Sequence, residues 1–237
     1  MTKKTRKTHK MRKVLLTVCC AALLVCVTIG ATVAYLTSTK TVTNTFTVGN
    51  VNIKLDETKV DENGDPVDAN GDPIAEDATP IRAEQGNAYH LLPGHTYTKD
   101  PKVTVLKGSE DCHVRVLVTI NEQKDLDEIF APGVNLDNIL TGRDAAKWVV
   151  KQITKDAVKD TRTYELRYAE KILATDCANA DEVLPAVFTK IEMPEDINGD
   201  DLAQLGNSLK IEVVAQAIQA DGFEDADAAW EAFDKQA

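Results

Sequence analysis

The side chains best suited to holding a transition metal in this chain of 237 residues are three histidines, His90, His95 and His113. A zinc peptidase needs two ligands one helical turn apart and a carboxylate base, as in His-Glu-x-x-His. That motif is missing, and His90 and His95 flank Leu92-Pro93-Gly94, where a turn rather than a helix is expected. Ordinary turn and strand histidines are the better reading. Oxygen ligands recur more regularly: Asp-x-Asn-Gly-Asp occurs at 61–65, 68–72 and 196–200. Calcium favours such oxygens, which makes Asp61, Asn63, Asp65, Asp68, Asn70 and Asp72 its candidate ligands. In an EF-hand loop, however, glycine stands sixth and a glutamate closes position twelve; here glycine stands fourth and that glutamate is missing. Asn-Gly also makes two-residue hairpin turns, because both residues tolerate positive φ. Calcium sites and plain turns both stay open. No Ser-His-Asp or Cys-His arrangement and no phosphate-cradling glycine loop can be argued, so no catalytic machinery and no cofactor other than calcium is expected.

These residues lie downstream of a leader. Lys3, Lys4, Arg6, Lys7, Lys10, Arg12 and Lys13 precede an acid-free apolar run at 14–34, the charge layout of a signal peptide. The alternative is a retained anchor, since a run of this length could span ~30 Å of hydrocarbon as a helix. Its small closing residues, Gly30, Ala31, Thr32 and Ala34, place the cut between Ala34 and Tyr35. The expected organisation is a signal peptide at 1–34 and one domain at 35–237. The leader holds seven of the 27 Lys and Arg and none of the 38 Asp and Glu, so the mature chain has 20 basic against 38 acidic residues, a net −18. Such a surface repels phosphate backbones, which excludes nucleic acid as the main partner. Cys19, Cys20 and Cys26 fall in the leader, leaving Cys112 and Cys177. Outside the cell these two could pair, closing a loop worth on the order of 4 kcal/mol, or stand unpaired in the core.

The elements that must position these residues are mostly strands. Thr- and Val-rich alternation runs over 39–55, with Val42, Phe46 and Val48 on one parity and Val51, Ile53 and Leu55 on the other, so a bulge or turn is expected at Gly49-Asn50. The stretch 56–82 is acidic, contains Pro and Gly and carries the repeated turn motif; it reads as a surface insertion. Further strands are expected at 96–106, 113–120, 147–153, 161–168, 185–193 and 208–220. Cys112 shares the inward parity of Val114, Val116, Val118 and Ile120. Helical spacing marks 124–142, interrupted by Pro132-Gly133, and a closing helix in which Phe223, Ala226, Trp230 and Phe233 form a core-facing stripe. The fold class expected is mainly β, an antiparallel jelly roll or β-sandwich with short peripheral helices and a C-terminal helix.

Gly30-Ala-Thr-Val-Ala-Tyr-Leu-Thr37, Asn44-Thr-Phe-Thr-Val-Gly-Asn-Val51, Leu92-Pro-Gly94 and the strand at 208–220 together resemble the TasA/camelysin family of exported bacterial proteins. The resemblance implies a jelly roll, processing by a signal peptidase of the SipW type and, for fibre-forming members, matrix filaments in which one subunit's N-terminal strand completes the next subunit's sheet. Here that strand would carry Val42, Phe46 and Val48, and cleavage would free it to seek an open sheet edge. Folding back into its own sheet is the alternative. The expected protein is therefore a secreted or cell-surface subunit of a biofilm matrix whose partner is itself or a related subunit. Its rivals are a camelysin-like secreted metalloendopeptidase and a calcium-dependent surface adhesion module.

Overall fold

The computed structural model describes residues 37–41, 47–48, 51–75, 77–130, 135–197, 199–206 and 208–236. Thirteen strands appear among them: β1 Thr37–Thr41, β2 Thr47–Val48, β3 Ile53–Thr58, β4 Arg82–Ala83, β5 Thr96–Thr98, β6 Lys102–Val105, β7 Cys112–Ile120, β8 Leu140–Thr141, β9 Trp148–Asp156, β10 Thr161–Tyr168, β11 Glu182–Val183, β12 Lys190–Glu192 and β13 Ile211–Gln219. Four helices join them: α1 Gln123–Ile129, α2 Leu136–Ile139, α3 Gly199–Gly206 and α4 Ala226–Asp234. The strands form three antiparallel sheets ordered β2-β1-β13-β7-β10-β9, β11-β6-β3-β4 and β5-β12-β8. The mainly β expectation holds.

Alternation builds the core. Val114, Val116, Val118 and Ile120 of β7 are buried, and the register sets Val116 opposite Ala215 on one side and Leu166 on the other. β-branched residues suit this pleated, two-sided environment. The second sheet adds Ile53 and Leu55 from β3 and Val103 and Val105 from β6 to the same cluster. Each such side chain, fully buried, contributes about 1.5–3 kcal/mol relative to exposure. Trp148 is fully buried, and its indole N–H donates to the Pro185 carbonyl at 2.9 Å.

The stretch expected as a surface insertion at 56–82 is more embedded than its composition implies. Asp56, Glu57 and Thr58 belong to β3 and are buried, because β3 runs on past the apolar residues that announce it. Val60 and Val67 are buried as well, each bridging to the proline that closes its turn, Pro66 and Pro73. The rest is largely exposed.

The far face of the six-stranded sheet is covered by α4. Asp225 caps this helix, accepting from the Ala228 amide at 2.8 Å. Ala229, Trp230 and Phe233 pack on Ile218 of β13 in a small second core, as the helical stripe predicts. His113 is half-buried on this side, and burial, with Lys171 and Arg167 near and Asp225 opposing them, holds its pKa below the ordinary value of 6.5. The fold therefore favours the neutral ring, while the unfolded chain takes up the proton first as pH drops. Stability from this group is complete above pH 6.5 and declines as pH falls from there through the lowered value. Between pH 7.5 and 5.5 the melting temperature of a His113→Gln variant should fall less than that of the parent; equal falls would refute this role.

Candidate functional site: a shared sheet edge and its groove

β13 is the strand on which the N-terminal segment sits. β1 pairs with it antiparallel from Thr37↔Ile218 to Thr41↔Val214, and Val48 of β2 stands opposite Thr37 on the other side of β1. In this structure β1 therefore completes its own chain's sheet, the alternative that the sequence left open. Val42 and Phe46, like Ala34 and Tyr35 at the expected cut, lie outside the described residues.

Among the described residues the β1 ladder reaches Val214, and β13 begins at Ile211. Its first three residues, Ile211, Glu212 and Val213, line a groove of about 730 Å³. The opposite wall comes from Leu55 to Glu57 of β3 and from the 83–91 segment. Apolar walls beside strand backbone suit β-strand addition, in which main-chain hydrogen bonds give affinity and side-chain pockets give register.

The other end of the sheet is defended. β9 pairs only with β10 among the described strands, and its exposed half carries Lys151 and Lys155. Its register slips between Glu165 and Leu166, which face Gln152 and Val150 and leave Lys151 unmatched. Lysines and a bulge are the usual devices that stop an edge from pairing with another chain. Ile153, 52% exposed, is the single large apolar residue on this half.

The repeated acidic turns spend their carboxylates on their own backbone. Asp61 Oδ1 accepts from the amides of Asn63 and Asp65, at 2.9 and 3.0 Å, and Asp68 Oδ1 accepts from those of Asn70 and Asp72, at 2.8 and 2.9 Å. These bonds, above all the one from Asp72, hold the Asp68 carboxyl below its usual range. The Lys59 ammonium donates to the carbonyls of Asp68 and Ala69, at 2.9 and 2.8 Å, so a side-chain cation already uses the second turn's outward oxygens.

His95 Nε2 lies 3.0 Å from the Asn63 carbonyl, while His113 is on β7 beside α4. No group of three or more His, Cys, Asp or Glu that could hold a metal occurs among the described residues. Cys112 and Cys177 are both fully buried free thiols, and burial, with Cys177 and Asp111 nearby, pushes the Cys112 thiol up to about 12.

Sequence reading missed a polar cluster in the groove wall. The ammonium of Lys99, on a residue 5% exposed, donates to Glu57 Oε2 at 2.8 Å. The other oxygen, Oε1, accepts from the Asn87 side-chain nitrogen at 3.0 Å and from its amide at 3.1 Å. The signal was available: Glu57 continues the inward parity of Ile53 and Leu55, and Lys99 continues that of Tyr97.

The segment that ends in these strands is the one that comparison with known proteins picks out. Residues 9–70 match the camelysin metallo-endopeptidase family model. The match supports the TasA/camelysin resemblance and takes in the expected leader from residue 9 on, β1 to β3 and the first acidic turn. No curated protein and no solved structure matches the chain. The camelysin name implies a catalytic metal, and the described residues do not fit one, because the three histidines are not gathered with a fourth donor or with one another.

Proposed function

We propose that this is a secreted structural protein of an extracellular matrix, cut after Ala34 by a signal peptidase of the SipW type, whose copies join by N-terminal strand addition. The β1–β13 ladder carries this reading: a five-residue strand at the chain's start is held on a seat that any second copy also presents. The same register can be made within one chain or between two, and the second arrangement propagates head to tail because donor and seat are different surfaces. The groove lined by Ile211, Glu212 and Val213 supplies apolar walls for a donor's side chains, and the lysines of β9 direct association away from the opposite edge. The segment with Val42, Phe46 and Val48 supplies the apolar side chains of that donor.

Ser38 and Ala217 face each other in the ladder, so a Ser38→Cys, Ala217→Cys chain beginning at Tyr35 tests the exchange. Under mild oxidation it should give disulfide-linked ladders on a denaturing gel and fibres by electron microscopy, and deletion of 35–48 should abolish both. Linkage confined to monomers, or fibres formed by the deletion, would reject strand addition. Casein cleavage abolished by a chelator would favour the metallo-endopeptidase that the family's name describes.

A further inference from the structure

Glu57, Asn87 and Lys99 do more than a structural ion pair requires. A buried salt bridge is a weak source of stability, since desolvation offsets most of its attraction. Here one carboxylate holds two groups that can react with each other, an amine on Oε2 and a carboxamide on Oε1. The carboxamide is also polarised: its Oδ1 accepts from the Val60 amide at 3.1 Å, and its nitrogen donates to the Thr58 carbonyl at 2.8 Å as well as to Glu57. Tyr89 closes the side, with the Lys99 ammonium 5.8 Å from its ring centre and its hydroxyl donating to the Thr98 carbonyl at 3.0 Å.

We propose that Lys99 and Asn87 become joined by an amide bond between Nζ and Cγ, with Glu57 as the catalytic proton carrier. The Glu57 carboxylate takes a proton from the Lys99 ammonium that donates to it. The freed Nζ lone pair adds to Asn87 Cγ, and the carbonyl electron pair moves onto Oδ1, where the Val60 N–H already donates. Glu57 delivers its proton to the amide nitrogen and takes one from Nζ. The old C–N bond then breaks, ammonia departs with its electron pair, and Glu57 returns the remaining proton to the medium. Atoms balance as lysine ammonium plus asparagine carboxamide giving the secondary amide plus ammonium. Neither oxidant nor metal takes part, and one carboxylate hydrogen-bonded to both partners gathers them at a single site. The bond would close a covalent ring over 87–99, fastening the 83–91 wall of the groove, and it forms whether or not the chain polymerises.

The test is mass spectrometry of the intact purified chain, followed by tryptic mapping. The mass should be lower than the sequence requires by one ammonia, and a branched peptide should join Asn87 to Lys99, with no tryptic cut after Lys99. The Asn-Gly steps at Asn63, Asn70 and Asn198 can also shed ammonia through succinimides; those are cleaved by hydroxylamine and give no branched peptide. Glu57→Gln should show the full mass and no branched peptide while keeping the parent's circular dichroism. A parent chain of full mass without the branched peptide after prolonged incubation overturns the proposal, even if the variant fails to fold. A branched peptide that persists in Glu57→Gln overturns the role of Glu57.

Discussion

Alanine at Gly64 should cost far more stability than alanine at Gly71, although the two occupy the same place in consecutive copies of one motif. Both glycines have positive φ, +83° and +92°, so each substitution carries the left-handed penalty of about 1–2 kcal/mol. Their surroundings differ. A Cβ on Gly64 would stand 2.7 Å from Tyr97 Cα and 3.0 Å from the Thr98 nitrogen, whereas one on Gly71 would meet nothing within 4 Å. Tyr97 cannot give way: it is fully buried, and its hydroxyl donates to the His90 carbonyl and accepts from the Leu92 amide, both at 2.6 Å. Overpacking against fixed backbone adds about 1–3 kcal/mol at Gly64 alone. Thermal unfolding should separate the variants, because each 1 kcal/mol moves the midpoint by roughly 2–4 °C in a domain of this size. Equal shifts would mean that the first turn does not rest on Tyr97.

That contrast marks where the sequence was legible. Strands with clean alternation were placed closely: 113–120 became Cys112–Ile120, 161–168 became Thr161–Tyr168, and 208–220 became Ile211–Gln219. Their side chains meet one environment per face, so periodicity carries the information. The two-residue strands β4, β8 and β11 are too short to show a period, and 185–193 shrank to Lys190–Glu192 for want of alternation. Helix α3 went unread because Asp200 and Asp201 look like one more acidic turn.

The candidate site was half legible. The N-terminal strand announced itself through Thr and Val alternation, but its seat on β13 lies some 180 residues away in the chain, and single-sequence patterns do not encode pairing partners. The Glu57, Asn87 and Lys99 cluster joins residues 30 and 42 positions apart, drawn from a strand end and two loops. Composition misled as well: acidic residues around Glu57 read as solvated, whereas burial with a lysine and an asparagine is the other way in which charge is accommodated.

Arg115 extends that lesson to the outward face and sets the second large expectation. Its position on β7 alternates with buried valines, so it points away from the main core, yet it is only 4% exposed because α4 lies over it. The guanidinium donates to Gln216 Oε1 at 2.6 Å, grips the Asp234 carboxylate with two nitrogens, and stacks 4.4 Å from the Trp230 ring centre and 5.0 Å from that of Phe233. A methionine side chain in its place would fill the space without replacing any of these bonds, and Glu165 would keep only Arg167. Asp234 is 53% exposed and returns to water at little cost. Arg115→Met should therefore cost about 1–3 kcal/mol, the range for leaving the buried Gln216 oxygen without its donor, part of it lost cation–π attraction. The loss should be local before it is global. Trp148 sits in the main core and Trp230 on the inner face of α4, so acrylamide should quench neither tryptophan in the parent and one of the two in the variant. A variant with the parent's melting midpoint and both tryptophans shielded would show that apolar packing on Ile218 alone holds the helix. If quenching appears with little loss of midpoint, α4 opens independently of the sheet, and the β13 edge that it overlies can exchange strands without unfolding the body.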